Sequence, residues 1–191
     1  MTSFDQLIED LEVGVSAIAI CDVRQDAKYV IKDNTSTTVH YVLSGTGTAW
    51  QSNGQSFPLA PHTFMILPPG APVAVSNERG ANIQPSDPDC EPLPEGWDHL
   101  TVGKGGPGIK LACGLIRVMH LEATGLFDHP GEPLIVDFSD DASFRVTFRR
   151  LLEELAAPKP GTRVLAELLM KQCLIVLLRR QMETARDNDV P

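Results

Sequence analysis

The side chains able to do chemistry are few and scattered. The five histidines are His40, His62, His99, His120 and His129, and none is spaced i+2 or i+4 from another. Those spacings would put two imidazoles on one face of a strand or helix, where a metal site begins. Asp98–His99 and Asp128–His129 are sequence neighbours, and adjacency gives no acid–base dyad. Cys21, Cys90, Cys113 and Cys173 form no CxxC pair and have no histidine at metal spacing. Three of them lie in apolar segments, where a thiol behaves as a small hydrophobe. Cys90 lies in a polar stretch with nothing basic beside it to lower its pKa. There is no GxSxG elbow. Gly103-Lys104-Gly105-Gly106-Pro107 has the glycines of a phosphate loop, but no Ser or Thr follows the Lys and no helix follows the loop.

The elements that must position these groups are mostly strands. Ser3 and Gln6 read as a capping box, and Phe4, Leu7, Ile8 and Leu11 continue at helical spacing, so a short amphipathic helix opens the chain. From Val13 the pattern changes to short runs rich in Val, Ile, Thr and aromatics, punctuated by Gly, Pro, Asn and Ser. That is the signal of antiparallel strands in a sandwich or barrel. No helix-length pattern separates them, which argues against a parallel βαβ sheet. The stretch from Ser76 to His99 holds six acids, one Arg and four prolines. It predicts a long surface loop, partly disordered, over 76–108, with Trp97 folded back onto the sheets. A long strand returns over 109–121. Ser139, Asp140 and Asp141 offer caps for a first helix with Phe144, Phe148, Leu151, Leu152 and Leu155 on one face. Pro158 to Gly161 stops it. Thr162 starts a second helix, apolar on more than one face, which must bury the surplus either on the sheets or against another subunit.

Composition narrows the classes. Sixteen Lys and Arg stand against twenty-five Asp and Glu, for a net charge of -9. Such a chain repels a nucleic-acid backbone. Arg179 and Arg180, with Arg186 beyond, suit a helix C-terminus rather than a DNA site. No apolar run approaches the roughly 20 residues of a membrane span. The acidic N-terminus lacks the basic and apolar regions of a secretory signal, so a cytoplasmic location is expected.

The centre of the chain resembles a known superfamily. Tyr41-Val42-Leu43-Ser44-Gly45 is similar to the first cupin motif, and Pro68-Pro69-Gly70-Ala71-Pro72-Val73 with Asn77 to the second. More specifically, the chain resembles the N-terminal cupin domain of AraC-type transcription regulators. The likeness runs from the opening helix through His40 to Gly45 and Leu67 to Gly70. It continues through Gly105-Gly106-Pro107-Gly108, Leu111 to Gly114, and the Pro-rich break between two final helices. The resemblance implies a mainly β fold with α: a double-stranded β-helix or jelly-roll barrel over 1–138, an antiparallel helix pair over 139–186, and a tail or linker start over 187–191.

Departures from the family pattern matter as much. Metal-dependent cupins hold their ion with three His and a Glu; on the motif alignment these positions fall at Ile31, Asp33, Thr38 and Val73. One carboxylate cannot hold a transition metal that wants three or four ligands. The first Gly of the second motif is His62. The resemblance therefore implies no metal and no cofactor, but a sensor whose barrel interior holds a small-molecule effector. His40, Val42, Trp50, Phe64, Ile66, Val73 and Leu115 are candidates for that interior, with Arg117 as an anion anchor. It also implies a homodimer, here through Leu165, Leu168, Leu169, Ile175 and Leu178. DNA would be contacted by a helix-turn-helix domain that in the family follows the second helix and that this chain lacks. One rival reading is a metal-independent enzyme similar to cupin epimerases, with His40 as base and Tyr29 or Tyr41 as acid. Tyr41 should point away from His40 on its strand, which counts against that pair. A stand-alone dimerisation module with a filled barrel is a further reading.

Overall fold

Alternation along the central strands decides the architecture. The computed structural model of the chain describes residues 8–9, 11–31, 35–77, 88–92, 98–119 and 132–188. The strands are β1 (Glu12–Val23), β2 (Lys28–Ile31), β3 (Thr38–Ser44), β4 (Gly47–Gln51), β5 (Ser56–Leu59), β6 (Thr63–Leu67), β7 (Val73–Ser76), β8 (Asp89–Pro92), β9 (Asp98–Val102), β10 (Ile109–Met119) and β11 (Leu134–Asp137). Two helices follow, α1 (Ala142–Ala156) and α2 (Thr162–Asn188). The strands make a seven-stranded sheet, in the order β11-β6-β3-β10-β1-β9-β8, and a four-stranded sheet, β2-β7-β4-β5. The sheets enclose a common apolar interior but share no strand among the described residues, so the jelly roll is not closed into a continuous barrel.

The central strands of the large sheet, β6, β3, β10 and β1, serve two cores. On β3, Val42 turns into the interior with Met65, Leu67, Val73, Val75 and Leu111. Val39 and Tyr41 turn to the opposite face and meet Phe64, Ile66, Ile116 and the helices. A period of two does this automatically. Every residue of β6 is buried, because both of its faces are covered. The outer core is aromatic. Phe138 and Phe144 stack with ring centroids 3.7 Å apart, and Phe148 lies 4.2 Å from Tyr41.

The helix pair is held by local chemistry as well as burial. Asp141 caps α1, its Oδ1 accepting from the Phe144 N–H at 2.9 Å. Gly161 takes a φ of 94° in the turn after Pro158 and Pro160, so the chain reverses there without Cβ strain. Leu169, Met170, Cys173, Leu174 and Leu177 of α2 enter the outer core. Arg180 grips Asp140 with two hydrogen bonds of 2.8 and 3.1 Å and lies over the Phe138 ring. Its role is thus to strap α2 to the start of α1, beyond the helix-end role read from the sequence.

Gly45 and Gly108 explain two of the motif glycines. A Cβ on Gly45 would stand 2.0 Å from the Gly108 carbonyl oxygen, and one on Gly108 2.0 Å from that of Val23. The turns at the mouth of the interior interlock backbone to backbone, which only glycine permits.

One expectation changes here. The segment 76–108 is not all loop: β8 and β9 form a hairpin, and β9 runs parallel to β1 from Ala19–Asp98 to Val23–Val102. Pairing with a central strand supplies what its polar composition concealed. Most of the opening helix, Trp97, Asp33, His120 and His129 lie outside the described residues; of that helix Ile8 and Glu9 are helical, and Leu11 is core.

Candidate functional site

His40 sits in the interior beside Met65 on β6 and Cys113 on β10, its register partners. Its side chain is 3% exposed. Nε2 and the Thr38 hydroxyl are 3.0 Å apart, while buried Nδ1 has no hydrogen-bond partner in the structure. Burial alone pushes its pKa from 6.5 down to about 4, so the ring is neutral at physiological pH. Val42 and Val73 line the same interior, as do Ile31, Met65 and Leu67. Tyr29 also packs there. Burial, with Cys21 and Cys113 near by, pushes its hydroxyl up to about 12. The Cys113 thiol is held well above its usual value by its hydrogen bond with Cys21 and by burial. A neutral imidazole with one unused nitrogen, among apolar walls, can orient a small polar ligand by one directional bond.

The remaining candidates lie elsewhere. Phe64 and Ile66 point into the helix-side core, because the interior face of β6 belongs to Thr63, Met65 and Leu67. Trp50 alternates away from Ala49, and its indole N–H donates to the Ser76 hydroxyl at 3.1 Å. Leu115 is 40% exposed. Arg117 is exposed against Gly14, in a surface cleft with Glu12, Glu167 and Lys171, outside the interior. On α2, Leu165 and Leu168 are exposed together with Val164, Ile175 and Leu178 are half-buried, and Leu169 belongs to the outer core.

A second constellation was not foreseen. His62 has a φ of 77°, the left-handed region, at the position where the second motif has glycine. Its backbone is pinned on both sides: its N–H donates to Val42 at 2.9 Å, and its carbonyl accepts from Phe138 at 3.1 Å. Its Nδ1 lies 2.7 Å from the Tyr41 hydroxyl, which burial pushes up to about 12. Beside this pair α1 presents Arg145 and Arg149, and Leu43, Val146 and Leu152 complete a cleft of about 370 Å³. The sequence signal was the histidine in a glycine slot.

Among the described residues no three His, Cys, Asp or Glu side chains stand close enough together to hold a metal ion. No helix of the described residues is long and apolar enough to cross a membrane. The family model described as Cupin matches residues 4–183. The chain belongs to the cupin family. This cupin shares its fold with an apo form of ToxT from Vibrio cholerae, at 7% identity and a TM-score of 0.51. That match covers 85% of this chain and 55% of ToxT, so the cupin spans about half of the larger protein. ToxT with an unsaturated fatty acid bound matches at 7% identity over 89% of this chain and 53% of that one, with a TM-score of 0.45. YhaK from Escherichia coli matches at 11% identity over 66% and 40%, with a TM-score of 0.32. Comparison with curated proteins finds no match to the cupin sequence.

Proposed function

We propose that this cupin is the effector-sensing and dimerising part of an AraC-type transcription regulator, taking a small uncharged molecule in the interior beside His40. The observation that carries the reading is the buried, unpartnered Nδ1 of His40 among apolar side chains. An orphaned buried nitrogen is costly unless something comes to bond it. The motif resemblance and the fold shared with ToxT support the regulatory context. Catalysis has less support: His40 bonds Thr38, and the Tyr–His pair at 2.7 Å lies on the opposite face of β3. Two copies would pair through the outer face of α2. Val164, Leu168, Lys171, Ile175, Leu178 and Met182 fall there at alternating steps of four and three, the spacing of a coiled-coil seam. DNA contact would come from a helix-turn-helix domain outside this chain, in the cytoplasm.

Fusing the chain to a helix-turn-helix domain that must dimerise tests the role. A library of small neutral metabolites should change reporter output, and Val42→Phe, which fills the interior, should abolish the response while dimerisation persists. Output that never depends on an added compound, or a response unchanged in Val42→Phe, would refute the reading.

A further inference from the structure

The cleft between α1 and the β3–β6 corner is built from groups that interior sensing does not use. The Nε of Arg145 is buried and has no hydrogen-bond partner in the structure. A guanidinium nitrogen in that state needs an acceptor. Arg149 stands one turn further along α1, and its ion pair with Glu153 is long, at 3.8 Å, and exposed at both ends, so it is weak. The charges around the cleft can be counted. Asp140 also faces Arg145, but Arg180 engages both of its oxygens. Two guanidiniums against the Glu153 carboxylate leave one net positive charge. That suits a single carboxylate better than a phosphate dianion, and paired guanidiniums suit carboxylate geometry.

We propose that this cleft binds a small monocarboxylate with an apolar body, its carboxylate between Arg145 and Arg149 and beside the Tyr41–His62 pair. Leu43, Val146 and Leu152 supply the apolar walls. The volume of about 370 Å³ falls at the lower end of small-molecule sites. Tyr41 keeps its proton throughout the physiological range, so the pair acts in binding rather than in proton transfer. When Nδ1–H of His62 donates to the tyrosyl oxygen, the Tyr41 O–H is free to donate to the ligand. His62 holds a left-handed backbone that glycine would adopt without strain, and such strain gathers where a side chain has a task. The site lies on the helix side of β3, separate from the interior around His40, and stands or falls independently of it. Its ligand would touch both sheet and helix, and so would report on how α1 sits.

Isothermal titration calorimetry of the full chain with sodium octanoate tests the proposal, with octanol and inorganic phosphate as controls. Octanoate should bind at one site. Arg149→Gln, an exposed change that leaves the fold intact by circular dichroism, should weaken it about tenfold, as should Arg145→Gln. Octanol and phosphate should bind at least about tenfold more weakly than octanoate. Absence of octanoate binding, or equal binding by Arg149→Gln, overturns the proposal. So does phosphate binding as tight as octanoate. Loss of octanoate binding in Val42→Phe with retention in Arg145→Gln would move the ligand to the interior and overturn it too.

Discussion

Two histidines show how one residue type is put to opposite uses. His40 is buried neutral, with a pKa near 4 against 6.5 when free. The unfolded chain therefore takes up its proton first as pH falls. The stability His40 confers is complete above about 6.5 and is lost as pH drops towards 4, by up to about 3 kcal/mol. Urea unfolding at pH 7.5 and 4.5 should show this loss, and His40→Gln should show less of it; an equal loss in both proteins would contradict the assignment. His62 holds its place by backbone geometry instead. At a φ of 77° an alanine keeps the strain and lacks the bond to Tyr41, whereas glycine loses only the bond. His62→Gly should be more stable than His62→Ala by about 1 kcal/mol, the reverse of the order in a helix. Thermal melts of the two variants would decide it.

At the scale of elements, legibility followed the physics of faces. His40, Val42 and Val73 could be placed inward because the cupin motifs set which alternate positions face the interior, although β3 too is buried on both faces. Phe64 and Ile66 could not, because Thr63-Phe64-Met65-Ile66-Leu67 is buried on both sides and a two-sided strand has no polar face to mark its direction. The hairpin of β8 and β9 was hidden for the opposite reason: its residues are polar, and its order derives from a distant partner, β1. The Arg145–Tyr41–His62 cleft joins three segments far apart in sequence, which no local spacing announces. The aromatic contact between α1 and β3 can be weighed directly. Phe148 is 1% exposed and packs on Tyr41 and Phe64. Phe148→Ala should cost about 3–5 kcal/mol in chemical denaturation. A loss below 1 kcal/mol would mean that the helices dock by other contacts.

Among the described residues of the whole molecule, one apolar surface is conspicuous, the first turns of α2. Val164 is 54% exposed, Leu165 43% and Leu168 60%. Met182, Leu178 and Ile175 prolong that face and Lys171 interrupts it, so a partner copy would be expected to meet a charged residue midway. Leu168→Glu combined with Ile175→Glu should yield a folded monomer by light scattering at micromolar concentration. A native chain already monomeric there, or a double variant still dimeric, would remove the helical interface.

The centre of the large sheet, buried on both faces at β3 and β6, also sets an order of events. During synthesis β3 and β6 leave the ribosome long before α1 does. Val39, Tyr41, Phe64 and Ile66 then form an uncovered greasy slab until the two helices arrive to close it. The helix pair is in this sense an intramolecular chaperone for the sheet it covers, and its late arrival is the step at which nascent chains would stick to one another. Expressed alone, residues 1–138 should collect in the insoluble fraction, and supplying 139–188 as a separate peptide during refolding should recover soluble protein.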